Sequence, residues 1–182
     1  MFIVRLDRAA RRHRRQARRN GDERGAMNDT ETGPPIENAM TDTPNKMQFR
    51  VTSQRESAHL SHARCKNARI ELDTDLAGSP DAFNPAELLL AALSACMIKG
   101  IERVTPILQF ALRGVEVQVH GVRQDVPPRL ESIRYEIIVD TDESDRRLEL
   151  LHDNVRKYGT VFNTVAPGTD LSGVLRRKHG AP

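Results

Sequence analysis

The chain has 182 residues, of which 29% are charged and 38% hydrophobic, enough for one ordinary soluble domain with a tail. Its longest apolar run, Leu88 to Ile98 broken only by Ser94, is 11 residues and too short to cross a bilayer, so no membrane role is expected. The net charge of +3 is uneven: residues 1–26 set nine Arg against Asp7, Asp22 and Glu23 (+6), residues 27–46 set Lys46 against Asp29, Glu31, Glu37 and Asp42 (−3), and the remaining 18 basic and 18 acidic side chains cancel.

Residues 1–46 show no hydrophobic periodicity. They bury too little to offset the entropy of ordering, so this basic, then acidic and Pro-containing tail is expected to be disordered, with the domain over 47–182. The Arg run suits phosphate contacts. No aromatic residue interleaves it and the body is neutral, so no nucleic-acid role is expected. Met27, Met40 and Met47 offer alternative starts, which leaves open whether the tail is a real arm or upstream sequence. Two cysteines and no secretory pattern point to a reducing, cytoplasmic setting rather than a disulfide scaffold.

From Gln48 the pattern becomes globular. Residues 49–51 ("FRV") and 68–73 ("ARIELD") alternate apolar and polar and predict strands, with Ile70 and Leu72 on one face. The stretch "AHLSHARCKNARI" reads as strand or turn, and "DTDLAGSPDAFNP" as a loop. A helix follows. Asn84 is a good N-cap, Pro85 suits the first helical position, and Glu87 completes a capping box. Pro106 is expected to end this helix near Thr105. Apolar residues cover most of its circumference up to Ile98, which predicts a central helix surrounded by protein.

Val115, Val117 and Val119 predict one strand, and Ile133, Tyr135, Ile137 and Val139 a second, joined by the loop "RQDVPPRLE". In "DESDRRLELLHDNVRKYG" the stripe Leu148, Leu151, Val155 and Tyr158 predicts an amphipathic helix capped at Gly159. A last strand is expected at "DLSGVLRR". With antiparallel links throughout, the fold class is α+β, antiparallel sheets around a central buried helix.

Cys96 sits inside that central helix. Read alone, a buried thiol is a small hydrophobe. His59, His62 and Cys65 have metal-like spacing, yet on a strand a spacing of three alternates faces and no second pair completes four ligands, so no metal site is expected. Glu87 lies nine residues before Cys96, half a helical turn out of phase and about 13 Å along the axis. Within one chain it therefore caps the helix rather than activating the thiol. Lys99 shares a face with Cys96 and is either a thiolate partner or a solvated lysine.

The segment "NPAELLLAALSAC" and, further on, "KYGTVFNTV" resemble the family of osmotically inducible protein C (OsmC) and the organic hydroperoxide resistance proteins. The resemblance covers residues 47–178. It implies an intertwined homodimer with sites at the subunit interface, and it implies that Cys96 is the peroxide-reactive thiol. It also implies an arginine on an early strand that stabilises the thiolate, matched by Arg55 or, next, Arg64. The chain departs from the family pattern at two positions. Gly159 stands where the second, resolving cysteine is expected, and Ala86 stands at the family's glutamate, with Glu87 next to it.

The expected activity is reduction of organic hydroperoxides through Cys96, with Arg55 and Glu87 as assisting residues. Cys65 is a candidate relocated second thiol. No bound cofactor is expected, and an external thiol or dithiol, a lipoyl carrier for example, would be the reductant. Leu88, Leu93, Met97 and Phe162 would wall a pocket for the organic part of the peroxide. The competing expectation is a non-catalytic module of the same fold that senses oxidants or binds a hydrophobic ligand.

Overall fold

The computed structural model describes residues 46–178. All but the last residue of the expected tail falls outside them, as do residues 179–182.

The first sheet holds β1 (Thr52–Arg55), β2 (Leu60–Cys65) and β3 (Ala68–Asp73), all antiparallel, with β2 central. The strand expected at 49–51 begins instead at Thr52, where pairing to Arg64 starts, and "AHLSHARC" carries a full strand. The β1–β2 turn is closed locally: the Glu56 and Ser57 amides both donate to the Leu60 carbonyl at 3.0 Å, and Ser57 Oγ accepts from the amides of His59 and Leu60 at 3.1 Å. Asp73, buried at the end of β3, organises the following loop by accepting from the amides of Asp75 (2.9 Å) and Ser79 (2.8 Å). A Phe83–Leu72 bridge ties that loop back to the sheet.

Helix α1 (Pro85–Leu108) starts as its sequence dictates. Asn84 Oδ1 accepts from the amides of Ala86 and Glu87 at 2.9 and 3.0 Å, and Glu87 Oε2 accepts from the Asn84 amide at 2.9 Å. The two side chains satisfy amides that have no partner inside the helix. The helix does not stop at Thr105. Pro106 lies in its last turn, and the chain leaves the helix at Gln109, in a left-handed conformation with φ 50°. Pro106 costs the Glu102 carbonyl its usual donor, and Thr105 Oγ1 approaches that oxygen at 3.5 Å, a long substitute.

The second sheet is β4 (Gly114–Asp125), β5 (Pro128–Asp140) and β6 (Asp170–Arg177), in the order β4-β5-β6. The strands of the β4–β5 hairpin run through most of the expected loop and leave only Val126 and Pro127 as the turn. Strand β6 runs parallel to β5, which departs from the all-antiparallel expectation. Parallel neighbours need a crossover. Here it is α2 (Asp145–Tyr158), then α3 (Thr160–Val165) and a single 3-10 turn (Ala166–Gly168). Helix α3 was not foreseen, because six residues are too few to show a period. The β5–β6 approach requires Gly173, since a Cβ there would overlap the carbonyl oxygen and ring of Tyr135.

The core lies between α1, α2 and the inner face of the second sheet. Leu93, Met97 and Ile101 of α1 meet Ile133, Ile137 and Val139 of β5, with Leu151 and Val155 of α2 closing one side. Completely burying each such side chain is worth about 1.5–3 kcal/mol. Only one stripe of α1 is used this way. Leu89 is 40% exposed and Ala92 and Ala95 lie open, so the helix is not surrounded within one chain. The first sheet shares no extensive contact with α1 or the second sheet. No helix among the described residues is long and apolar enough to cross a membrane.

Candidate active site

Cys96 lies in the middle of α1, half-buried, with neither helix terminus near enough to activate it. What faces its sulfur is Gly159, the joint between α2 and α3. A Cβ built on Gly159 would lie 3.5 Å from Cys96 Sγ, and 3.0 Å from both Phe162 Cβ and the Val155 carbonyl oxygen. Residue 159 is buried, with φ −75°, a conformation open to any residue. Two positions 63 apart in sequence are thus brought into contact. This is the geometry that a resolving thiol at 159 would need, realised without the thiol.

Phe162 is buried behind Gly159 and stands edge-on to Tyr135, ring centroids 6.1 Å apart. Tyr135 shares a hydrogen bond with His152 of α2, Oη to Nε2, at 2.9 Å. Burial, with a smaller effect of the Arg156 charge, holds the His152 pKa below its ordinary value, and burial raises that of Tyr135. Sequence reading did not single out this pair, and an exposed-looking histidine on α2 carries no local signal of a partner on β5.

Most of the residues expected to wall a pocket are interior. Leu93 and Met97 are fully buried in the core because they lie on the stripe of α1 that faces β5, and Phe162 is interior too, while Leu88 is half-buried. An open groove of about 360 Å³ does run beside α1, but Phe83, Glu87, Leu90, Ala91, Ser94, Val117 and Val119 line it. Glu87 is engaged in the capping box and lies on the side of α1 away from Cys96. Lys99 is exposed one turn beyond the thiol.

Strand register separates the arginine candidates. Arg55 pairs with Ser61, and Ser61 with Leu72. Residues directly opposite share a face, so Arg55 lies on the face of Ala63, Cys65, Ile70 and Leu72. Arg64 pairs with Thr52 and Arg69 on the other face. Among the described residues, the Arg55 side chain has no hydrogen-bond or ion-pair partner. Arg55 and Cys65 share a face but stand four residues apart along it, about 13 Å. Neither is brought to Cys96 within the chain, because the first sheet does not pack extensively on α1.

The metal-like histidines go to separate carboxylates. His59 Nδ1 lies 2.7 Å from Asp75 Oδ2, and His62 Nδ1 lies 2.7 Å from Glu56 Oε1. Among the described residues no group of three or more His, Cys, Asp or Glu is placed to hold a metal ion.

The family model described as "OsmC-like protein" matches residues 78–172, which span α1, β4, β5, the start of β6 and the Cys96–Gly159 contact. No curated protein matches the chain. Several solved structures share the fold. The chain is similar to an OsmC-like protein from Mycoplasma pneumoniae, at 19% identity and TM-score 0.67, over 73% of this chain and 99% of that one. It is similar to an organic hydroperoxide resistance protein OsmC from Legionella pneumophila, at 16% identity and TM-score 0.56, over 71% and 98%. It is also similar to the organic hydroperoxide resistance protein OhrB of Bacillus subtilis, at 18% identity and TM-score 0.51, over 71% and 98%. With more than half of the chain matched by the family model, and its α+β architecture shared with these structures, the chain belongs to the OsmC-like protein family.

Proposed function

We propose that this protein is a cytoplasmic, homodimeric, thiol-dependent reductase of organic hydroperoxides in oxidative stress defence, with Cys96 as the reacting thiol. The observation that carries the reading is the Cys96–Gly159 contact, which gives the sulfur the surroundings of a two-thiol site. The Cys96 thiolate attacks the outer oxygen of the peroxide. The O–O bond breaks, Cys96 becomes a sulfenic acid, and the departing alkoxide takes a proton to leave as alcohol. With glycine at 159, an external thiol then attacks the sulfenic sulfur and releases water. A second thiol equivalent, or the other arm of a dithiol, reduces the mixed disulfide and restores Cys96.

A mid-helix thiol needs a cation to favour its thiolate. Arg55, free of partners and on the open face of the first sheet, is the residue we assign to this role. In this reading it reaches Cys96 from a second copy, because its own sheet does not pack extensively on α1. The apolar groove beside α1 is the surface available to the organic part of the substrate. The test is steady-state consumption of cumene hydroperoxide with a dithiol as reductant. Turnover that disappears in Cys96→Ser and survives in Cys65→Ser is expected. No turnover in the native protein contradicts the assignment.

A second reading rests on Gly159 itself. Without a resolving thiol in contact, the same site suits a module that is oxidised once, as a sensor, or that binds a hydrophobic ligand. One equivalent of peroxide consumed per Cys96, with no further reaction when thiol is added, favours that reading.

A further inference from the structure

The turn that carries Arg55 also carries a carboxylate, Glu56, next to it in sequence. Glu56 is the nearest carboxylate to Arg55 along the chain. The structure shows it occupied elsewhere. Arg69 Nη2 donates to Glu56 Oε1 at 2.6 Å across the sheet. His62 Nδ1 lies 2.7 Å from the same oxygen, with a side chain only 7% exposed. That second contact is close but lacks hydrogen-bond alignment, so Arg69 is the stronger holder. Arg69 and His62 both lie on the sheet face opposite Arg55. The carboxylate is thus drawn to one side while Arg55 stays unpaired on the other.

We infer that Arg69, supported by His62, is a positioning residue that sequesters Glu56 and so keeps Arg55 available to the Cys96 thiolate. The inference rests on the proposed role of Arg55. When Arg69 is removed, Glu56 turns to Arg55, the thiolate loses its cation and peroxide reacts more slowly. The expected size is about five-fold, since an exposed ion pair contributes little more than that ratio.

The experiment measures two quantities in the full-length protein: the rate of sulfenic-acid formation at Cys96 with cumene hydroperoxide, and the pH dependence of Cys96 alkylation. The variants are Arg55→Gln, Arg69→Gln, Glu56→Gln and the double variant Arg69→Gln/Glu56→Gln. Arg55→Gln and Arg69→Gln are expected to slow the reaction and to move the alkylation profile to higher pH. Glu56→Gln keeps the native rate, and the double variant returns to it because no carboxylate is left to compete. A merely structural role for Arg69 gives a double variant as slow as Arg69→Gln, which overturns the inference. A native rate in Arg69→Gln alongside a slow Arg55→Gln overturns the inference and leaves the Arg55 assignment standing. A native rate in Arg55→Gln overturns both.

Discussion

Gly159 is the residue on which the proposed chemistry turns. Its missing side chain faces Cys96 Sγ, and a Cβ there meets the sulfur at 3.5 Å. A thiol added at that Cβ is close enough to bond Cys96 once the Val155 carbonyl and Phe162 give by a few tenths of an ångström. Gly159→Cys is therefore expected to give, on peroxide treatment, a protein two hydrogens lighter with Cys96 closed to alkylation. The crowding by Phe162 and the Val155 carbonyl sets a cost of about 1–3 kcal/mol in folding stability. Intact mass under denaturing alkylation reads the result, and two free thiols after oxidation contradict the geometry. Cys96 and the Asn84–Glu87 box were legible in the sequence, because capping and helical position are local signals. The identity of residue 159 as the neighbour of Cys96 had no local signal and came only from a motif resemblance. The Glu56–Arg69–His62 cluster was not legible at all, since strand register decides which charges meet.

Among the elements, α1 shows what apolar composition hides. Its residues 88–98 are apolar around nearly the whole helix, so no phase can be read from them. The structure sends Leu93 and Met97 inward and leaves Leu89, Ala92 and Ala95 open. That is why two expected pocket residues are core. The order of elements was readable from periods of two and 3.6, while the parallel β5–β6 pairing was not, since pairing direction is set by the crossover. Helix α2 carries its own test through His152. Its pKa in the folded protein is depressed, so the unfolded chain binds the proton more readily. Stability from this group is complete above the ordinary histidine pKa of about 6.5 and is lost as pH falls through the folded-state value. Melting temperature is expected to decline as pH drops from about 6.5 towards 5. His152→Gln, which keeps a partner for Tyr135 but does not titrate, is expected to flatten that decline. An unchanged slope in the variant contradicts the assignment.

At the scale of the molecule, two apolar surfaces are left open by the described residues. One is the face of the first sheet with Cys65 and Ile70, continued by Phe49, which is 77% exposed; the other is the open side of α1 around Leu89. Apolar side chains left on an uncovered sheet face contribute little burial energy. In the proposed homodimer, exchange between two copies would cover both surfaces with one symmetric contact and would bring Arg55 towards the partner's α1. Light scattering is expected to give twice the 20.5 kDa chain mass, and Leu89→Glu is expected to lower both that mass and the reactivity of Cys96. A native monomer with full reactivity contradicts the shared site. The central claim remains that Cys96 is a peroxide-reactive thiol. The most direct measurement is sulfenic-acid trapping at Cys96, read by intact mass after one equivalent of cumene hydroperoxide or hydrogen peroxide, with Cys96→Ser and Cys65→Ser alongside. Rapid labelling that requires Cys96, ignores Cys65 and favours the organic peroxide is the expected result. Labelling no faster than that of a free thiol in solution would make Cys96 a packing residue and contradict the account.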